Sequence, residues 1–159
     1  MTVKAKGFEQ VVEASIEHEL ESIELYSLLK EKVKDEQTAK TLGKLMEFEE
    51  NHLHELIDFL TDVSRETRDA IASVRVLKDR RKALSKQLEK DMKTHGLSDV
   101  STPLDIIEYA LSREAETEKK YKSFVKNAKD NKLIAILKRI SEEEEAHAAL
   151  LTEWLEKEE

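Results

Sequence analysis

An all-α fold, a four-helix bundle made of two helical hairpins and a long helical crossover, is predicted by three features of the sequence. The 159 residues include only 3 Gly and 1 Pro, so turns are few and elements are long. Charged residues make up 39% and aromatics 5%, which is poor material for a sheet and ordinary for long helices. Finally, apolar residues recur at three- and four-residue steps along four segments. The length suits one domain with a sizeable core, so residues 1–159 are read as a single domain.

The first helix is expected over about 8–34, with Val12, Ile16, Ile23, Tyr26 and Val33 on its apolar side. Asp35-Glu36-Gln37 reads as a turn. A second helix follows over about 38–61, striped by Leu42, Leu45, Leu56 and Phe59. The next hairpin opens on the clearest signal: Thr102 as N-cap, Pro103 at the first helical position and Asp105 at the third. Its first helix runs to about 129. Asp130-Asn131 turns the chain, and the last helix continues to the C-terminus. The hairpins thus span about 8–61 and 102–157.

Residues 62–98 form a crossover of a different character. They hold ten Lys/Arg against six Asp/Glu, hence +4 in a chain of net charge -8 and -12 over the remainder. Ile71, Val74, Leu77, Leu84, Leu88 and Met92 keep a helical period, and His95-Gly96 reads as a helix stop. Charge runs of this kind are usually solvated faces. Docking of an acidic redox partner or another subunit is the alternative use. The overall negative charge argues against nucleic acid as a partner. No apolar run approaches the ~20 residues that span a bilayer, and MTVKAKGFEQ lacks the apolar stretch of a secretory signal. A cytoplasmic location is expected. The absence of cysteine excludes disulfides, thiolate metal sites and a cysteine nucleophile.

A shift of 95 residues superimposes the chain on itself without gaps. Between positions 13 and 60 there are 13 identities, including Glu19/Glu114, Tyr26/Tyr121, Asp35/Asp130, Glu49/Glu144 and His52/His147. Two hairpins related in this way pack as a pseudo-twofold pair.

The apolar stripes are interrupted at mid-helix. The last helix reads Leu133, Leu137, Ile140, Glu144, His147, Leu151, Trp154, a core seam with steps of four and three. The second reads Leu42, Leu45, Glu49, His52, Leu56, Phe59. The first gives Val12, Ile16, Glu19, Ile23, Tyr26, and the third Ile107, Ala110, Glu114, Thr117, Tyr121, Phe124. Four buried carboxylates without counterions would cost several kcal/mol each, and no Lys or Arg shares the stripes near their centre. Two divalent cations would balance four glutamates, with two neutral imidazoles completing the donor set. Glu-x-x-His places both side chains on one face. One Glu from each of two helices and Glu-x-x-His from each of the other two is the donor set of di-iron and di-manganese bundles. The candidate ligands are therefore Glu19, Glu49, His52, Glu114, Glu144 and His147. Tyr26 and Tyr121, two turns beyond a ligand Glu, are either packing residues or hydrogen-bond donors to a ligand carboxylate.

Other polar residues fit less well. Glu17 and His18 flank the seam and are expected on the exposed face, as is His54. His95 reads as a helix end. Glu50 is off the seam, and Glu142, Glu143 and Glu145 are expected to face water. No glycine-flanked serine or phosphate-binding glycine loop occurs.

Glu19 followed by Tyr26, the FEENH run, Glu114 followed by Tyr121, and the EEEEAH run together resemble the rubrerythrins of the ferritin-like superfamily. The resemblance covers about residues 8–157, with 62–98 only as a connector. It implies a ferritin-like bundle holding two Fe ions that react with O2 or H2O2; the donor set of four carboxylates and two imidazoles would by itself also suit Mn, or Zn as a substitute. It also implies bridging roles for Glu49 and Glu144, terminal roles for Glu19 and Glu114, one metal for each of His52 and His147, and a homo-oligomer. Two departures matter. The family's four-cysteine rubredoxin-like domain has no counterpart, so electrons would come from an external donor. Thr117 stands where rubrerythrins carry a further Glu, which brings the symmetric six-residue set closer to bacterioferritin-type ferroxidase centres.

The expected function is a di-iron carboxylate oxidoreductase of ferroxidase or peroxidase type, tied to oxidative stress, coupling Fe(II) oxidation to reduction of O2 or peroxide. A non-catalytic iron-sequestering protein and a metal-stabilised helical scaffold are the alternatives.

Overall fold

Both hairpin turns are built around an aspartate. Asp35 accepts hydrogen bonds from the backbone N–H of Thr38 (2.9 Å) and from its hydroxyl (2.5 Å). Asp130 accepts from the N–H groups of Lys132 and Leu133, both at 3.0 Å. Each carboxylate thereby satisfies donors that the first helical turn leaves free. The computed structural model describes the backbone of residues 3–63, 74–98 and 102–158, and side chains over 10–59, 82–98 and 102–157.

Among the described residues there are five helices and no strands: α1 (Val3–Lys32), α2 (Glu36–Val63), α3 (Val74–Thr94), α4 (Pro103–Asn127) and α5 (Asn131–Glu158). The all-α bundle agrees with the sequence reading, while several boundaries move. Glu36 and Gln37, read as turn residues, lie inside α2 because Asp35 supplies the cap. Thr102 accepts from Asp105 N–H and Asp105 accepts from Thr102 N–H, a reciprocal capping box ahead of Pro103. The end of α3 is equally defined. Gly96 takes φ +81°, with Gly96 N–H donating to Lys93 C=O and Leu97 N–H to Met92 C=O. That is the Schellman pattern, and only a residue without a Cβ adopts the required φ freely.

The hairpin α1–α2 and the hairpin α4–α5 are the two extensively packed pairs, and α1 against α4 and α2 against α5 join them. The crossover helix α3 lies along α1, burying Leu84, Leu88 and Met92 while Lys82, Lys86, Lys90 and Lys93 stay exposed. Its basic face is therefore a solvated one over this stretch. Residues 64–73, and the side chains of Val74 and Leu77, lie outside the described residues, together with the basic residues 65, 68, 75, 78, 80 and 81. No described helix is long and apolar enough to cross a membrane.

The core divides in two. One cluster contains Val12, Ile16, Leu56, Phe59, Leu133, Leu137 and Ile140. The other contains Leu25, Leu29, Leu42, Leu45, Ile107, Ala110 and Leu151. A charged layer falls between them along every stripe.

Candidate metal centre

Each of the four long helices contributes to that layer at about its middle. Glu19 on α1, Glu49 and His52 on α2, Glu114 on α4, and Glu144 and His147 on α5 are all buried, none more than 4% exposed. The i, i+3 spacing turns the Glu and His of α2, and those of α5, to the same side. Glu50 is exposed, so the helix phase selects Glu49, as the seam predicted.

The six side chains converge into two overlapping groups. Donor atoms of Glu19, Glu49, His52 and Glu144 lie within 4.8 Å of one another, and so do those of Glu49, Glu114, Glu144 and His147. Glu49 and Glu144 belong to both. Both imidazoles present Nδ1 to the carboxylates. His52 Nδ1 is 3.2 Å from Glu144, 3.6 Å from Glu49 and 3.7 Å from Glu19. His147 Nδ1 is 3.3 Å from Glu49 and 3.4 Å from Glu144. The two rings are nearly parallel, 6.1 Å apart.

The approaches between these groups lack hydrogen-bond geometry. Both carboxylate oxygens of Glu49 and of Glu144, one oxygen each of Glu19 and Glu114, and Nδ1 of both histidines are buried without a hydrogen-bond partner. Buried polar atoms are nearly always satisfied, so this concentration of unpartnered donors at one point is suited to hold a metal ion. Oxygen and imidazole donors with no thiolate suit iron or manganese, and also zinc. The residues fit a two-ion centre of the carboxylate type.

The tyrosines sort the glutamates into two kinds. Tyr26 on α1 donates its hydroxyl proton to Glu114 Oε1 on α4, and Tyr121 on α4 donates to Glu19 Oε1 on α1. The reciprocal crossing leaves Glu19 and Glu114 one open oxygen each, whereas Glu49 and Glu144 keep two. Burial, reinforced by the adjacent carboxylates, pushes both phenols well above their usual range, so they remain donors.

Burial first, and then the neighbouring charges, act on the ionisation of the layer. Burial first, then Glu19 and Glu144, pushes the Glu49 carboxyl well above its ordinary value. Burial and then Glu144 do the same to Glu114. Burial also opposes ionisation of Glu144, but the nearby His147 and His52 together with its carboxyl neighbours outweigh it and hold Glu144 below the usual range. For His52 burial disfavours the imidazolium, yet Glu144 and Glu19 overcome this and raise it to about 10.

Two residues depart from expectation. His18, expected on the exposed face, is 5% exposed. Its Nε2 lies 3.1 Å from Thr117 Oγ1, and its ring meets Tyr121 edge-on at 5.7 Å. Thr117 donates its own proton to Arg113 C=O (3.0 Å), so it accepts from His18, and His18 Nδ1 carries a bare lone pair. Burial lowers this imidazole to about 4 and keeps it neutral. The misplacement comes from treating α1 as a helix with one buried side. It packs against α2, α3 and α4 at once. Glu143, expected in water, is partly exposed but reaches His52 Nε2. Glu17, His54, Glu142 and Glu145 are exposed as expected, and His95 stands just past the end of α3.

No curated protein and no solved structure matches the chain. The rubrerythrin family model matches residues 105–159, which include Glu114, Tyr121, Glu144 and His147. The match takes in nearly all of the second hairpin, and the first repeats that hairpin's Glu, Tyr and Glu-x-x-His at a constant 95-residue offset. Over its second hairpin the chain is thus similar to the rubrerythrin family.

Proposed function

We propose that this protein is a di-iron carboxylate oxidoreductase that couples Fe(II) oxidation to reduction of O2 or peroxide, using electrons from an external donor. The observation that supports it most is the pair of overlapping donor groups sharing Glu49 and Glu144. A single-ion or structural site needs no shared pair. Glu49 and Glu144, with two open oxygens each, are suited to bridge. Glu19 and Glu114 are suited to be terminal ligands, and His52 and His147 each serve one half. When bound, two adjacent ions supply Lewis acidity and two electrons, which is the demand of reducing one peroxide to two waters.

The chain's own residues provide the setting. Tyr26 and Tyr121 pin one oxygen of Glu114 and Glu19, fixing the orientation of the other. The apolar clusters on either side limit water at the centre, where electrostatic interactions gain strength. His52 Nδ1 lies 3.2 Å from Glu144, and a cation held between them would take the place of any proton there.

Anaerobic titration with Fe(II), followed by O2 or H2O2 and a reducing dye, tests the reading. Saturation near two ions per chain, as two donor groups require, and sustained dye oxidation are expected. Saturation at one ion or none would remove the assignment. One stoichiometric oxidation with no further turnover would make the protein an iron-sequestering one.

A further inference from the structure

The 95-residue relation extends through the donor set and stops at the next contact. Under it, His52 corresponds to His147, and Glu143 corresponds to Phe48. Each of these neighbours sits against the opposite histidine. Glu143 Oε2 meets His52 Nε2. The Phe48 ring lies 5.0 Å from the His147 ring, tilted by 47°. One imidazole is backed by a carboxylate and the other by an aromatic ring, although their Nδ1 atoms face the same carboxylate layer.

We propose that the two halves of the centre differ in cation affinity, with Glu143 making the Glu19/His52 half the one that fills first and Phe48 leaving the Glu114/His147 half the weaker. This rests on the two-ion reading above and deepens it. A carboxylate on Nε2–H fixes the tautomer that presents Nδ1 to the ion and makes that nitrogen a better donor. It also adds a negative charge next to one half only. A phenyl ring can do neither: it has no acceptor for Nε2–H along the ring edge and no charge. Glu143 and Phe48 are both partly accessible, at 45% and 46%, so exchanging them does not open the core.

Glu143 is thus a positioning residue, acting through His52. Its loss should weaken the tighter phase by about 10–100-fold, the usual cost of removing the outer partner of a ligating histidine. The probe is Co(II), titrated anaerobically into the full chain and followed by calorimetry and by visible absorption. The wild type should bind in two phases at least about tenfold apart. Glu143→Leu should bring the tight phase down to the weak one, and Glu143→Asp should restore part of the gap. Phe48→Glu should tighten the weak phase while leaving the tight one in place, a gain that a merely structural role would not produce. His52→Ala should abolish the tight phase and His147→Ala the weak one. Two equal wild-type phases, or a gap unchanged in Glu143→Leu and Phe48→Glu, would overturn the inference while leaving a two-ion centre intact. No Co(II) bound by folded wild-type protein would remove the two-ion reading and this inference together.

Discussion

The apolar clusters and the charged layer between them lie on the same helices and obey opposite rules. Leu137 and Ile140 on α5 are fully buried and are satisfied by any well-packed neighbour. Glu144, one turn further on and equally buried, has no hydrogen-bond partner for either oxygen. The apolar layers stabilise the fold without help. The middle layer, with its buried unpartnered carboxylates, opposes folding unless their charge is offset. A seam that keeps its spacing while changing its chemistry for one turn marks a site that the rest of the bundle is stable enough to carry.

The sharpest way to break this contrast is Glu144→Ala. It removes a residue common to both donor groups, so metal content after saturation should fall from about two ions per chain to below one, by elemental analysis. Retention of both ions would show that Glu144 is not shared.

Leu137→Ala is the matching change in an apolar layer. A fully buried leucine truncated in this way costs about 2–5 kcal/mol, read from denaturant melts of the metal-free protein. The ion count should not change. Loss of metal here would mean that the two regions are not separable.

Tyr121→Phe lies on the border between them. It leaves Glu19 Oε1 buried without its donor. A cost of about 1–3 kcal/mol is expected, along with weaker binding in the Glu19/His52 half alone. An unchanged metal-free melt would reduce Tyr121 to a packing residue.

The smallest effect concerns pH, and its sign is fixed by the shifts. Glu49 and Glu114 hold their protons more tightly when folded than when unfolded. Stability therefore falls as pH rises above the unfolded carboxyl value of about 4.3. His52, raised to about 10, contributes stability that is complete below its unfolded value near 6.5 and is lost toward 10. Glu144 acts in the opposite sense, but only below the ordinary carboxyl range. The metal-free melting temperature should decline from pH 5 to pH 9. Glu114→Gln keeps an acceptor for Tyr26 and removes the ionisation, so it should flatten the decline and raise the melt most at pH 9, while shrinking the increment gained on adding Mn(II). A steeper decline would mean that Glu114 is ionised and well solvated at neutral pH.

Much of the buried carboxylate and histidine layer was legible in the chain. The seam phase distinguished Glu49 from Glu50, because one residue of helical rotation separates a fully buried position from an exposed one. The duplicated Tyr and His lifted Glu-x-x-His above what a Glu-rich helix offers by composition. The reciprocal tyrosine crossing was not legible, since spacing along one helix does not say which helix a hydroxyl reaches. His18 was missed because a single-stripe reading fails for a helix packed against three others. A wider apolar arc was available as a signal: Leu20, Leu25 and Leu28 are buried off the main stripe. Glu143 is hidden in a run of acids, although the offset that aligns the histidines also sets it opposite a phenylalanine.

Each donor group draws on both hairpins. Glu19, Glu49 and His52 come from the first and Glu144 from the second; the other group takes Glu49 from the first and Glu114, Glu144 and His147 from the second. Neither hairpin alone carries a complete set, although each has its own aspartate-capped turn. In kinetic terms, carboxylates that repel across the docking interface burden the step in which the hairpins meet. A cation held there would act as a removable cross-link between halves far apart in the chain. Where it binds only after docking, it leaves the folding rate alone and slows unfolding. The lifetime of the assembled bundle then becomes a function of how long the ion stays.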